Sequence, residues 1–248
     1  MQISVIFPAF NEERNIRRTM ERAIEAMRSL GSEFESLVID DASRDRTGQI
    51  ADELARVYRE IRVLHNPRNV GQGGSIVRGF REARYRWVIH DAMDYPFDLA
   101  DLTTMLPLTS QSDIVVAVRD GHAGYTTSRK VISWVNRRLL RILFGLKLRD
   151  YNFVQLYRRE VWQKIQVESR STAFLTPEAL IRAHDMGFRI TEVAARYLPR
   201  EEGVATSGSF RVIFRSLRDM LQFWWRRAVV NRREYRTQRR NARIEAGS

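Results

Sequence analysis

Five short runs of continuous apolar residues punctuate the first 118 positions: Ile3 to Phe7, Leu37 to Ile39, Ile61 to Leu64, Trp87 to Ile89 and Ile114 to Val118. Unbroken apolar runs of this length suit strands covered on both faces. Between the first two, Ile16, Met20, Ala23, Ile24, Met27 and Leu30 recur at helical spacing, and Gly31 supplies a stop. Repeated strand, helix, strand units predict an α/β fold, a mostly parallel sheet flanked by helices, whose ligands sit at the carboxyl ends of the strands. Those ends carry the polar residues: "FPAFNEE", "DDASRDRTG", "NPRNVGQGG" and "HDAMDYPFD" follow the first four runs in turn.

From residue 119 the pattern turns mostly helical and basic. "TSRKVISWVNRRLLRILFGL" places Val131, Ile132, Val135, Leu139 and Ile142 on one face, with Arg137, Arg138 and Arg141 elsewhere. "DYNFVQLYRREVWQKI" follows, then "TPEALIRAHDMGFRITEV", a helix that runs through Gly187 into a final strand. The last segment opens as an amphipathic helix with Ile213, Leu217, Met220, Leu221 and Trp224 on a shared face. The expected organisation is a first half over 1–118, a second half of the same domain over 119–209, and a basic helix and tail over 210–248.

Charge changes this picture most at the C-terminus. The chain carries a net +12, and residues 210–248 hold eleven Arg against three acidic residues, eight of those twelve charges. A surplus of that kind points to polyanions. Together with Trp224 and Trp225 it suggests an anionic membrane surface, and a membrane-embedded partner protein is a further candidate. Aromatic and basic residues interleave only loosely over 224–240, so nucleic acid is not the expected partner. No apolar run approaches the ~18 residues of a spanning helix, the N-terminus reads as a strand rather than a signal peptide, and the 248 residues include no cysteine. A cytoplasmic protein, peripheral on the membrane face, is expected.

The chemistry is concentrated in the loops. Asp40 and Asp41 end a strand just before a helix; Ser43 or Asp45 can be explained as helix caps, whereas two adjacent carboxylates suit hydrogen bonds from a base N–H or from ribose hydroxyls. "NVGQGGSIVRG" lacks both the Lys-Ser/Thr ending of a phosphate loop and the G-x-G-x-x-G spacing, and reads as a tight turn into a helix. "HDAMDYPFD" offers hard oxygen donors, enough for Mg²⁺ or Mn²⁺ completed by a diphosphate. His90 reads as a packing residue at the strand end. Arg119, Arg129 and Lys130 form a cationic group after the fifth run.

In order and spacing, "SVIFPAFNEERNI", "LVIDDASRDRTGQIA", "HNPRNVGQGGSIVRGF", the acidic loop after "RWVIH" and "FGLKLRDYNFVQLYRREV" resemble the inverting glycosyltransferases of family 2 with a GT-A fold. The likeness covers residues 2 to about 220 and is closer to the branch of dolichyl-phosphate mannose synthase and bacterial polyprenyl-phosphate glycosyltransferases. It implies a nucleotide-sugar donor (UDP- or GDP-linked), a polyprenyl-phosphate acceptor and a divalent cation, with 1–118 as the nucleotide-sugar-binding half and 119–209 as the acceptor-side half of the domain. By the same resemblance Pro8, Ala9, Asn11, Glu12, Asp40 and Asp41 hold the nucleotide, while Asp91 and Asp94 occupy the metal-binding D-x-D. Arg119, Arg129 and Ser133 lie near the diphosphate and the acceptor phosphate. Asp150 opens the block after "FGL", Gln155 stands where relatives are often basic, and Glu178 borders the acceptor side. Two features depart from the family: the D-x-D is D-x-x-D here, and the transmembrane helices found in many relatives have no counterpart. Alignment through "FDLADL" favours Asp94 for the metal and Asp91 for the ribose or a bridge. An ionised phosphate acceptor needs only positioning by Arg129 and Ser133, whereas a hydroxyl acceptor needs a base, for which Glu178 or Asp150 is available.

Overall fold

The computed structural model describes residues 1–93, 97–120, 127–169, 171–196 and 210–230, with the side chains at 128, 129, 172 and 210–212 excepted. All five expected strands form: β1 (Gln2–Ala9), β2 (Glu33–Asp40), β3 (Ile61–His65), β4 (Trp87–His90) and β5 (Ile114–Asp120). Helix α1 (Ile16–Ser29) buries Ile16, Met20, Ala23, Ile24 and Met27 along one side. Gly31 follows at φ 62°, which ends the helix where the spacing places the stop. Helices α2 (Thr47–Val57) and α3 (Gly71–Glu82) make the next two crossovers, and a short α4 (Leu102–Met105) precedes β5.

The second half is less helical than its sequence pattern implies. After α5 (Thr127–Phe144) the chain enters β6 (Gln155–Arg158), then α6 (Arg159–Lys164), α7 (Thr172–Asp185), β7 (Ile190–Arg196) and α8 (Phe210–Trp225). Strand β6 lies inside "DYNFVQLYRREVWQKI", read above as part of a mostly helical region. Four residues carry too short a pattern to declare a strand. What makes one of "QLYR" is the pair of open edges on either side, since β6 runs antiparallel to both β4 and β5.

The sheet has the order β3-β2-β1-β4-β6-β5-β7 among the described residues. Parallel pairing links β1 with β2 and β4, β2 with β3, and β5 with β7. Every strand but β6 therefore points its carboxyl end to one rim. Alternate residues of β1 feed two cores: Ile3, Val5 and Phe7 pack with Met20, Ile24 and Leu54 on one side, and Ile6 packs with Ile76 and Phe80 on the other. That second core continues through Leu140, Phe174 and Leu180 to Met220 and Phe223 of α8.

Candidate active site

At the rim, the strand order turns away from β1 in both directions, to β2 on one side and β4 on the other. A crevice opens at such a reversal because the two following loops diverge. The loop after β1 is stitched to the loop after β2. Asn11 N–H donates to Ser43 Oγ (3.1 Å) and Arg44 N–H returns to Asn11 Oδ1 (2.9 Å). Glu13 N–H donates to Asp45 Oδ2 (3.2 Å), Arg46 N–H to Glu13 Oε2 (3.2 Å), and Glu12 N–H to Thr47 Oγ1 (2.7 Å). Two left-handed residues, Asn11 (φ 57°) and Ala42 (φ 58°), bend the loops into reach. Asp45 also accepts from Thr47 N–H at 3.0 Å, closing a turn one position before Arg46, the N-cap of α2, rather than capping the helix itself.

The two adjacent carboxylates differ from the open pair the sequence leads one to expect. Asp41 is 2% exposed and turns inward. Its carboxylate accepts from Asn66 Nδ2 (2.7 Å), Val70 N–H (2.9 Å) and Gly71 N–H (2.8 Å). Asp41 thus holds the glycine-rich turn at the head of α3, where Gly71 sits at φ 79°, a conformation that side-chain-bearing residues resist. The tight turn read from the sequence is what the structure has. Asp40 accepts from Ser43 N–H at 3.1 Å through one oxygen and meets His65 Nδ1 at 2.9 Å through the other. Pro8 and Ala9 end β1 opposite Ile39 and Asp40 and are buried. The six residues thus form one wall; Asn11, Glu12, Asp40 and Asp41 build it with their own polar atoms.

Beyond β4, Asp91 is 2% exposed; its N–H donates to Ile6 carbonyl at 2.9 Å and its Oδ1 accepts from Ala92 N–H at 2.8 Å. Asp94 lies outside the described residues. His90 packs edge-on against Phe80, with ring centroids 6.0 Å apart, and burial pushes its imidazole down to about 4, in keeping with a packing role. Among the described residues no group of three or more His, Cys, Asp or Glu is assembled for a metal. Asp91 by itself is a hard oxygen donor of the kind Mg²⁺ or Mn²⁺ takes when a diphosphate supplies the remaining ligands.

On the far side of β6, Arg119 of β5 forms a two-pronged pair with Asp150, Nε to Oδ2 at 2.7 Å and Nη2 to Oδ1 at 3.0 Å, and its guanidinium lies 5.4 Å from the centre of the Phe153 ring. Asp150 also accepts from Asn152 N–H at 3.0 Å. Its oxygens are committed to holding Arg119 flat, so it is poorly placed to take a proton. Arg129 falls in the first turn of α5, with its side chain outside the description; Ser133 is half-buried one turn on. Gln155 donates through Nε2 to Tyr151 carbonyl at 3.2 Å.

Glu178 occupies a different place from the one expected of a catalytic base. It is 1% exposed on α7, and it accepts from Glu168 N–H (3.0 Å), Ser169 N–H (2.7 Å) and Arg182 Nε (2.7 Å). With three donors it clamps the 168–169 loop beneath α8. Three of its roughly four acceptor positions are taken by protein donors, which leaves it poorly placed to take a substrate proton. Three polar residues near the rim escaped the sequence reading: His65, Asn66 and Asp52. The signal was "HNP" directly after the third apolar run, where a polar residue in register with Asp40 could be anticipated.

Residues 4–173 match the family described as glycosyl transferase family 2, 170 of the 248 positions. This chain belongs to glycosyl transferase family 2. The family-2 glycosyltransferase is 31% identical over 214 residues to an undecaprenyl-phosphate mannosyltransferase of Micrococcus luteus, covering 82% of this chain and 86% of that one. It is 28% identical over 227 residues to a dodecaprenyl-phosphate galacturonate synthase of Rhizobium johnstonii, covering 89% of this chain and 66% of that longer relative. Among solved structures, glucosyl-3-phosphoglycerate synthase of Mycobacterium tuberculosis, crystallised with Mn²⁺, UDP and phosphoglyceric acid, superposes with a TM-score of 0.66 at 18% identity over 90% of this chain and 78% of that one. That likeness establishes the GT-A fold of the glycosyltransferase. The family match stops at the start of α7, so β7 and α8 lie beyond it.

Proposed function

We propose that this glycosyltransferase moves a sugar from a nucleotide-sugar donor to a polyprenyl phosphate. The observation that carries the reading, beside the likeness to two polyprenyl-phosphate transferases, is the state of the candidate bases. Asp150 and Glu178, the carboxylates available for deprotonating a hydroxyl, are both engaged, by Arg119 and by the 168–169 loop with Arg182. A phosphate monoester acceptor is already an anion near neutral pH and needs no base.

In the reaction an acceptor phosphate oxygen bonds to the anomeric carbon from the face opposite the leaving group. The bond from that carbon to the diphosphate oxygen breaks with its electron pair, and a nucleoside diphosphate departs. The stitched loops of β1 and β2, with Pro8, Ala9, Asn11, Glu12, Asp40 and Asp41, form the wall for the nucleotide. Negative charge grows on the leaving diphosphate, and Arg119, held flat by Asp150, supplies fixed positive charge against it. Arg129 and Ser133 would orient the acceptor phosphate. Mg²⁺ or Mn²⁺ held by Asp91 with Asp94 would neutralise the leaving group.

Reach to a lipid acceptor has its own support. Among the described residues no helix is long and apolar enough to cross a membrane. Instead α5 exposes Val131, Ile132, Trp134, Val135 and Ile142, and α8 exposes Phe214, Leu217, Leu221 and Trp225. The two helices meet through Phe144 and Phe223, whose ring centroids are 5.5 Å apart. Apolar faces flanked by Arg suit peripheral attachment to an anionic cytoplasmic leaflet.

The test is transfer from UDP- and GDP-sugars with Mn²⁺ to undecaprenyl phosphate in mixed vesicles, read by mass spectrometry of the lipid fraction. Formation of a glycosyl lipid phosphate is expected, with loss of at least about a hundredfold in rate for Asp91→Ala, the order of removing one transition-state charge contact. Product formed only on soluble hydroxyl acceptors would overturn the lipid-phosphate reading.

A further inference from the structure

His65 belongs to no role described so far, yet it joins three elements at the donor rim. It is the last residue of β3 and pairs in register with Asp40, the last of β2. Its Nδ1 lies 2.9 Å from Asp40 Oδ2 and its Nε2 lies 3.1 Å from Asp52 Oδ1 on α2. The imidazole is half-exposed; the Asp40 carboxylate beneath it is buried. Since Asp40 spends its other oxygen on Ser43 N–H, the imidazole locks the rotamer that shapes the turn after β2.

The surroundings are built to admit this contact. A Cβ at Gly48 would stand 2.8 Å from Asp40 Oδ2 and 3.3 Å from His65 Cε1, so a side chain at the head of α2 would force the pair apart. Arg78 of α3 donates to His65 carbonyl at 2.7 Å and also to Asn66 Oδ1. Asn66 in turn donates to Asp41. Each of the two carboxylates that end β2 thus has its own partner at the end of β3.

We propose that His65 is a positioning residue of the donor site: by bridging Asp40 to Asp52 it fixes the turn 41–46, stitched to the loop after β1, and so sets the affinity for the nucleotide half of the donor. The inference rests on the reading of that rim as the donor site. The bridge is also sensitive to pH. Both ring nitrogens donate only in the imidazolium form, and the groups facing the ring are Asp40 from β2 and Asp52 from α2, while Arg78 from α3 binds the backbone. The hydrogen bond to Asp40 and the one to Asp52 together hold the imidazole above its ordinary value despite partial burial. As pH rises through that value one N–H is lost, the exposed Asp52 contact lets go first, and the turn loosens.

The experiment is calorimetric binding of UDP and GDP, each with Mn²⁺, to the intact protein from about pH 5.5 to 8.5, a range that brackets the titration of a histidine. His65→Ala should weaken the nucleotide that binds by about three- to tenfold, the scale of one charge-assisted hydrogen bond that is partly solvated. It should raise the donor KM by a similar factor while kcat at saturating donor changes less than about twofold. His65→Gln keeps one N–H donor without titrating, so at every pH it should bind within about twofold of the affinity the parent has at high pH, and lose the parent's decline with rising pH. Asp52→Asn should move the midpoint of that decline to lower pH, because it removes a negative charge that favours imidazolium. Parent-like affinity in His65→Ala, or a pH profile unchanged in His65→Gln, overturns the inference while leaving the donor site intact. Failure of the unaltered protein to bind either nucleotide sinks the donor-site reading and this inference with it. If His65→Ala does not fold, by circular dichroism, the His65→Gln and Asp52→Asn profiles decide the matter.

Discussion

Several side chains at this site act on other side chains before they can act on a substrate. Arg119 shows why that matters: a guanidinium gripped at two points by Asp150 and backed by Phe153 has little rotamer freedom to lose when charge develops beside it. Asp150→Asn should lower kcat/KM by about tenfold or more and also cost stability, since it leaves a largely buried guanidinium without its counter-charge, and Arg119→Lys should be nearly as poor although the charge is kept, because an ammonium cannot make the paired contact. Steady-state kinetics on both variants checks this; full activity in Arg119→Lys would show the two-pronged geometry to be irrelevant. Glu178 predicts a different pattern. Glu178→Ala leaves Arg182 Nε and two backbone N–H groups without this acceptor, while Arg182 keeps Glu168 at 3.0 Å, so it should cost about 3–5 kcal/mol in denaturant unfolding while the folded fraction keeps its kcat. The sequence made Glu178, Asp150 and Arg119 visible as polar residues in a plausible block. Which of them pair is decided by side chains far apart in the chain, 31 positions for Arg119 and Asp150, and residue type alone does not carry that information.

At the scale of elements, the first half was legible because each strand is a continuous apolar run and each following loop is polar. Strand β6 was not, since its identity is conferred by β4 and β5 rather than by its own four residues. Helix α8 was half legible. The amphipathic face was expected through Ile213, Leu217, Met220, Leu221 and Trp224. The structure divides that set: Met220 and, beside it, Phe223 are buried at 2% and 5%, whereas Leu217 and Leu221 are exposed at 38% and 46%. A helix of mixed apolar residues gives no hint from sequence of which stripe meets the core and which does not. The division makes two separable expectations. Phe223→Ala should destabilise the protein by about 3–5 kcal/mol, measured by thermal or urea unfolding. The pair Leu221→Ser with Trp225→Ser should leave unfolding unchanged and reduce co-sedimentation with anionic vesicles, and equal vesicle binding would remove α8 from the membrane contact.

Across the whole molecule, charge and topology set orientation. Helix α8 is fastened near its middle by Asp219, which accepts from Ser171 N–H, and the helical turn that continues it over Arg226–Val230 is held by Arg227, whose guanidinium meets Asp185 at 2.6 and 2.7 Å. Its outward apolar stripe is therefore rigidly related to the rim. The excess of Arg over 210–248 was plain in the composition; its coupling to α7 needed the structure. Strand β6 has a further consequence, as a spacer. Ile89 of β4 and Val115 of β5 are both level with Leu156, so Asp91, just past the end of β4, and Arg119, on β5, lie on lines two sheet spacings apart, about 10 Å, with Arg119 two residues, or about 7 Å, further along. A single reversed strand thereby fixes the distance between the carboxylate that follows β4 and the Arg119–Asp150 pair, so a substitution that frays β6 would shift one against the other.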